Sequence, residues 1–258
     1  MRVFGPTLQV RREPGGEVIP LFTIAGRIDA EGCMLPQFDF ESEHRRGRLR
    51  FRIPTPLYGM GLLEAIPDTE IIANLYRNLA EKKLFGIRGT ANTGPPGVVR
   101  RFGWKAQERS LEVFAADAYL TEQGVTSELF PAKLHSPPSA CVFNPLPEDR
   151  KQIASASGIE AQSTIGKLSQ YLRYLTPPVP VAESPVVVQG KRIFESIGCN
   201  LCHVHILRTG NTSAAALRNR EVALYSDLLL HDMGVGLADG IAQGSASGRM
   251  FRTAPLWG

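Results

Sequence analysis

The octet "GCNLCHVH", residues 198 to 205, constrains this chain more than any other stretch, because it gathers two of the four cysteines and two of the five histidines. Side chains so concentrated serve one of three chemistries. In haem attachment, Cys199 and Cys202 form thioethers to the two vinyl groups, and His203 takes the iron from one face; two intervening residues let both sulfurs reach one porphyrin. In zinc binding, Cys199 and Cys202 join two of His203, His205 and His231 in a tetrahedral site. In thiol redox chemistry, the cysteine pair cycles between dithiol and disulfide. Zinc is weakened because His203 directly follows Cys202 and no second pair of ligands with matching spacing occurs. Redox is weakened because no βαβ pattern flanks the octet. The upstream "VVVQGKRIFESIG" favours haem: it reads as a short helix, with Gly190 permitting a close helix crossing and Phe194 placed to pack near a haem edge. Met233, Met250, His205 and His231 are the candidates for a sixth ligand, although His205 lies too near His203 to reach the opposite face easily.

Composition sets the frame for this site. Apolar residues make up 43% and charged residues 21% of 258, the balance of a folded chain. Glycine and proline together number 44, which predicts short elements joined by many loops. The formal charge of +4 is too small to imply an acidic partner. No apolar run reaches the length of a membrane span. The N-terminus lacks an apolar core and cleavage site, which by itself points to the cytosol.

Along the chain, residues 1 to about 60 read as strand and loop. "LFTIAG" and "RLRFRIP" are strand-like, and "ESEHRRGRLRFR" reads as a solvated hairpin face. "GMGLLEAIPDTEIIANLYRNLAEKK" reads as helix, with Ile71, Ile72, Leu75 and Leu79 at helical spacing and Asp68 or Thr69 as N-cap. "SLEVFAADAYLTEQG" is a helix with Ser110 at its start and Gly124 at its end. "FPAKLHSPPSACVFNPLPED" reads as a linker and "GIEAQSTIGKLSQYLRYLTPP" as a helix stopped by Pro177 and Pro178. A domain boundary is expected between about 176 and 186. "GVGLADG" has the wrong spacing and context for a dinucleotide loop. The arginines at 45, 46, 48, 50 and 52 lack aromatics placed for base stacking, so nucleic acid is not an expected partner.

Several blocks together resemble one family. "GMGLLEAIPD", "RFGWKAQERSLEVFAADAYLTEQGVTSELFP", "GKRIFESIGCNLCHVHILRTG", "YSDLLLHDMGVGLADG" and "GRMFRTAPLWG" are similar, in this order, to blocks of the bacterial di-haem oxidoreductases, also called thiol oxidoreductases or di-haem peroxidases, relatives of di-haem cytochrome c peroxidase and MauG. The resemblance spans about residues 55 to 258. It implies a mainly α fold of cytochrome c-like haem domains with small β-rich insertions near the N-terminus. The implied layout is a β-rich insertion at 1–60, the rest of a first cytochrome c-like domain at 61–180, and a second cytochrome c domain at 181–258. It also implies haem c bonded to Cys199 and Cys202 with His203 as axial ligand, while Met233 or Met250 stays a candidate sixth ligand from its position after the octet. Electron transfer with a redox partner protein or a small electron donor would follow, with peroxidase-like activity in the full-length form and a periplasmic or secreted location.

The resemblance assigns roles to two further residues. Trp104 would be an electron relay or a core residue. Glu122 would be the acid of the peroxidase segment, with Phe114 where the family has a glutamine; phenylalanine cannot make that glutamine's hydrogen bonds, which weakens the case for peroxide cleavage. Other departures are larger. No CxxCH precedes residue 199, and Cys33 and Cys141 lack an adjacent histidine. The family loop suited to calcium reads "EKKLFGIRGTANTG" here, which is basic and argues against calcium. A chain truncated at both ends is the expectation that covers these gaps and the missing leader. The rival from another class is a zinc-stabilised structural or interaction module built on Cys199, Cys202, His203 and His231.

Overall fold

The glycines and prolines break the helices early. The computed structural model describes residues 7–11, 16–19, 31–33, 40–47, 49–94, 97–132, 141, 145–153 and 160–257. Among these are seven α-helices, four of them only six residues long: α1 (Phe40–Arg45), α2 (Met60–Ala65), α3 (Asp68–Ala73) and α4 (Leu79–Leu84). The longer three are α5 (Leu111–Gln123), α6 (Thr164–Tyr174) and α7 (Pro185–Ser196). They alternate with short antiparallel strands and long irregular stretches. The expected mainly α architecture is therefore corrected: the chain mixes short helices, small sheets and coil.

Residues 59–83 show the physical reason. Their apolar spacing reads as one helix, but Pro67 has no amide hydrogen and forces its predecessor out of the helical region. Ile66 is extended (φ −69°, ψ 125°) and ends α2. Pro67 itself, not Asp68 or Thr69, precedes the first residue of α3. The Asp68 carboxylate turns away to accept from the Val99 amide at 3.0 Å and from Arg101. Asn78, left-handed at φ 53°, then redirects the chain into α4.

Backbone contacts divide the chain into two compact units, each built from two stretches. The first comprises Met1–Thr55 and Glu112–Gln170. Here β1 (Thr7–Arg11) lies between β2 (Gly16–Ile19) and β3 (Leu49–Arg52), antiparallel to both, with Leu8 opposite Ile19 and Phe51. The expected hairpin at 41–52 is instead α1 followed by β3, and Arg45 pairs with Glu41 one exposed turn away, at 3.3 Å. "LFTIAG" lies outside the described residues. Helix α5 ends, as its sequence predicts, at a left-handed Gly124 (φ 69°). Asp149 caps α6, its two oxygens accepting from the Thr164 and Ile165 amides at 2.7 and 2.8 Å. The short strands β7 (Gln152–Ile153) and β8 (Glu160–Ala161) pair with each other. A disulfide joins Cys33 to Cys141, 108 residues apart, a link that the isolated cysteines did not announce.

The second unit comprises Pro56–Leu111 and Tyr171–Gly258. Its central strand β11 (Leu230–Asp232) lies between β4 (Gly89–Thr90) and β12 (Met250–Arg252). Two small pairs accompany it, β5 (Thr93–Gly94) with β6 (Val98–Val99) and β9 (Leu207–Arg208) with β10 (Glu221–Val222). Leu228, Leu229 and Leu230 are buried in its core together with Phe102 and Ile241. Helix α2 approaches the Arg173 backbone so closely that a Cβ on Gly61 would sit 1.9 Å from the Arg173 carbonyl oxygen, so only glycine fits.

A buried lysine ties the distant blocks of this unit together. Lys105, fully buried, donates to Ser247 O at 2.9 Å, Met250 O at 2.8 Å and Asp239 Oδ1 at 3.2 Å, with its ammonium 4.0 Å from the Phe251 ring centre. Asn92 Nδ2 donates to Lys105 O and Gln243 O, both at 2.9 Å. Arg252 donates from its backbone to Trp104 O at 2.8 Å and from Nε to Gly103 O at 3.0 Å. "RFGWKAQ" and "GRMFRTAP" are thus one packed assembly. No helix among the described residues is long and apolar enough to cross a membrane.

Candidate functional site

Helix α7 delivers the octet. Ser184 caps it, Oγ accepting from the Val187 amide at 3.3 Å, and Pro185 fills the first helical position. After α7 the chain reverses at Gly198, left-handed at φ 81°, and enters a 3-10 turn at Cys199–Leu201. The His203 amide donates to Cys199 O at 2.9 Å, so Cys199, Cys202 and His203 share a single turn, anchored by the buried Leu201. Both cysteines are free and half-buried.

A second segment runs back along the octet. The amides of Tyr225, Ser226 and Asp227 donate to the carbonyls of His205, Val204 and Cys202 at 3.4, 2.9 and 2.9 Å. Tyr225 and Leu228 are both left-handed, at φ 53° and 57°. For a bulky side chain that conformation costs about 1–3 kcal/mol and marks a constrained site. The constraint has a visible product: Tyr225 O lies 2.8 Å from His203 Nδ1. A carbonyl only accepts, so Nδ1 is the donor, and in the neutral ring Nε2 is the nitrogen with the lone pair. Metal-bound imidazoles are oriented by this kind of bond.

Asp227 and His231 form a second feature beside the same turn, His231 reaching it from β11. His231 Nε2 lies 2.9 Å from Asp227 Oδ2, and its Nδ1 lies 3.8 Å from Cys202 Sγ. Both side chains are buried. Burial pulls the His231 imidazolium down, but hydrogen bonds and charge from Asp227 and Cys202 outweigh it and push its pKa up to about 9.

Aromatic rings close one side of the octet. Phe194 of α7 meets His203 and Tyr225 edge-on, with centroids 6.3 and 5.8 Å apart. His205, a bystander by sequence, lies tilted against both rings, its centroid 5.6 Å from Phe194 and 4.8 Å from Tyr225. Its Nδ1 lies 3.7 Å from Glu195, while its Nε2 is buried with no hydrogen-bond partner among the described residues.

The helix leading into the turn is otherwise uncovered. No residue of α7 is buried, and Val186, Ile193 and Ile197 are 78%, 50% and 69% exposed. Gly190, expected to admit a crossing helix, faces open space. Beyond β11, Val235 and Leu237 are exposed as well. Two free thiols, an imidazole with an available Nε2 and uncovered apolar surface suit haem, whose flat ring is apolar and whose iron takes a neutral imidazole. The residues present fit the group.

Zinc finds no comparable setting. Asp227, His231 and Cys202 stand in a row, each bonded to the next, rather than around a point. Among the described residues, no three His, Cys, Asp or Glu side chains converge as metal ligands do. The zinc module is not favoured.

The remaining candidates are dispersed. Met250, in β12, packs against the core of Ala106, Leu230 and Ala246, whereas Met233 is 48% exposed. Trp104 is half-buried in the same unit as the octet, where its carbonyl serves Arg252. Glu122 belongs to the first unit; burial and then the Asp117 charge push its carboxyl up, and Asp117 itself is pushed up to about 6 by burial. Tyr225, Asp227 and the role of His231 escaped sequence reasoning. The four-residue spacing of Asp227 and His231 was visible in "YSDLLLHD", but not that this segment runs beside the octet.

A family model described as "Di-haem oxidoreductase, putative peroxidase" matches residues 20–258. No curated protein and no solved structure matches the chain.

Proposed function

Because this chain belongs to the di-haem oxidoreductase family, we propose that it is a c-type haem protein that passes electrons, with haem bonded to Cys199 and Cys202 and His203 ligating the iron. The observation that carries this reading is the 2.8 Å contact of His203 Nδ1 with Tyr225 O, which leaves Nε2 for a metal. Bound there, haem would supply one-electron redox chemistry. The chain's own residues prepare the place. Tyr225 fixes the tautomer and tilt of His203, Phe194 packs against its ring, and α7 offers an apolar face.

Peroxidase-like turnover is the finer claim and belongs to the form that carries both haems of the family. The raised carboxyl of Glu122 supports an acid/base role, while Phe114 in place of glutamine speaks for electron transfer alone. We place the protein in the periplasm or outside the cell, working with a redox protein or a small electron donor. The Cys33–Cys141 disulfide supports that location, since such bonds persist in oxidising compartments.

The test is spectroscopic. Exported to a bacterial periplasm with haem-maturation machinery, the protein should show a sharp Soret band and a c-type pyridine haemochrome, and should keep its haem through denaturing electrophoresis. A colourless protein holding stoichiometric zinc would overturn the reading. Peroxide-dependent oxidation of a reduced donor, measured on the form with both haems, separates enzyme from carrier.

A further inference from the structure

The two cysteines of the octet are not equivalent. Cys202 Sγ lies 3.8 Å from His231 Nδ1, within reach of a sulfur hydrogen bond, whereas Cys199 Sγ meets no such partner among the described residues. The ring beside Cys202 is held from several directions. Its Nε2 bonds Asp227 Oδ2 at 2.9 Å, and Asp227 Oδ1 accepts from the Leu229 amide at 3.0 Å. The Asp227 amide donates to Cys202 O at 2.9 Å, and its carbonyl accepts from Asn74 Nδ2 at 3.1 Å. His231 itself sits on β11, opposite Gly89 and Phe251. A Cβ on Gly89 would stand 3.2 Å from His231 Cε1, so the imidazole lies close over a bare backbone. The carboxylate and ring are therefore fixed to the same turn whose sulfur they meet.

We propose that the Asp227–His231 pair positions Cys202 Sγ for addition to a haem vinyl group, so that the two thioethers of the octet form with unequal help. The inference rests on the reading of the octet as a haem attachment site. In the step, the Cys202 S–H adds across the vinyl double bond. A carbon–sulfur bond forms at the vinyl carbon next to the ring, and the thiol hydrogen ends on the terminal carbon, which becomes a methyl. The π bond and the S–H bond are consumed, and no electron is gained or lost. The contact with His231 holds the sulfur whichever partner carries the shared proton, so the gain is one of orientation. Cys199 adds without such a guide.

His231→Gln and Asp227→Asn, exported with haem maturation beside wild type and Cys202→Ser, test this. The readouts are thiol alkylation mapped by mass after denaturation, the pyridine haemochrome, and far-ultraviolet circular dichroism as a check of folding. In His231→Gln the share of chains with a Cys202 thioether should fall about tenfold, leaving one alkylatable thiol and the haemochrome of Cys202→Ser. Asp227→Asn, which preserves the shape of the side chain, should show a smaller loss at the same sulfur. Two thioethers at wild-type yield in His231→Gln would overturn the proposal, as would equal loss at Cys199 and Cys202. A wild-type chain without covalent haem would overturn both the proposal and the reading beneath it.

Discussion

Lys105 and His231 are both buried beside a carboxylate in the same compact unit, at 3.2 Å from Asp239 and 2.9 Å from Asp227 respectively. Their other contacts set them apart. The three donors of Lys105 meet three oxygens, two of them backbone carbonyls, and its charge faces the Phe251 ring. His231 spends one nitrogen on Asp227 and turns the other to a thiol. A buried charge whose contacts end in backbone carbonyls holds chain segments together. One whose contacts end at a thiol is, on the proposal above, placed to position that sulfur. The difference teaches that burial and ion pairing alone do not tell the two apart; the last atom in the hydrogen-bonded row does.

The contrast can be broken by substitution. Lys105→Met should cost about 3–5 kcal/mol, because it removes the ammonium paired with the buried Asp239 carboxylate. Urea denaturation at neutral pH measures this, and a loss below about 1 kcal/mol would show that Lys105 does not hold these segments together.

The contrast sharpens with pH. His231 is raised from 6.5 to about 9, so the folded haem-free protein binds this proton more tightly than the unfolded chain. Its contribution is complete below pH 6.5 and is lost as pH climbs through about 9. Denaturant midpoints should report a fall of roughly 3 kcal/mol across that window. His231→Gln should flatten the slope, while Lys105→Met should lower the whole curve and keep its shape.

A smaller effect belongs to α7, which the Lys105 assembly does not reach through any buried side chain of the helix. Ser184→Ala should cost about 1 kcal/mol of local helix stability. Amide exchange should quicken in α7 of the haem-free protein and leave β11 and β12 unchanged. Equal acceleration in both would show that the two regions unfold as one.

The legibility of the molecule in its sequence follows the same line. The octet, the helix before it and the end of α5 were readable because their signals are local: a spacing of two cysteines and a histidine, and a glycine after the last helical residue. The break of 59–83 into three helices was also encoded, in Pro67, but apolar periodicity spoke louder than one missing amide. The mainly α expectation followed the family resemblance and underweighted 44 glycines and prolines. Tyr225 and Asp227 were not legible. Their roles depend on which carbonyl a left-handed tyrosine presents and on a pairing between segments some 20 residues apart. No periodicity records either.

The central claim, that the octet bonds a haem through both cysteines, is tested most directly by the intact mass of the exported chain under denaturing, non-reducing conditions, with alkylation of free thiols. The predicted result is the polypeptide plus one haem, with neither Cys199 nor Cys202 alkylated. The bare polypeptide mass with both of these thiols alkylated would contradict it.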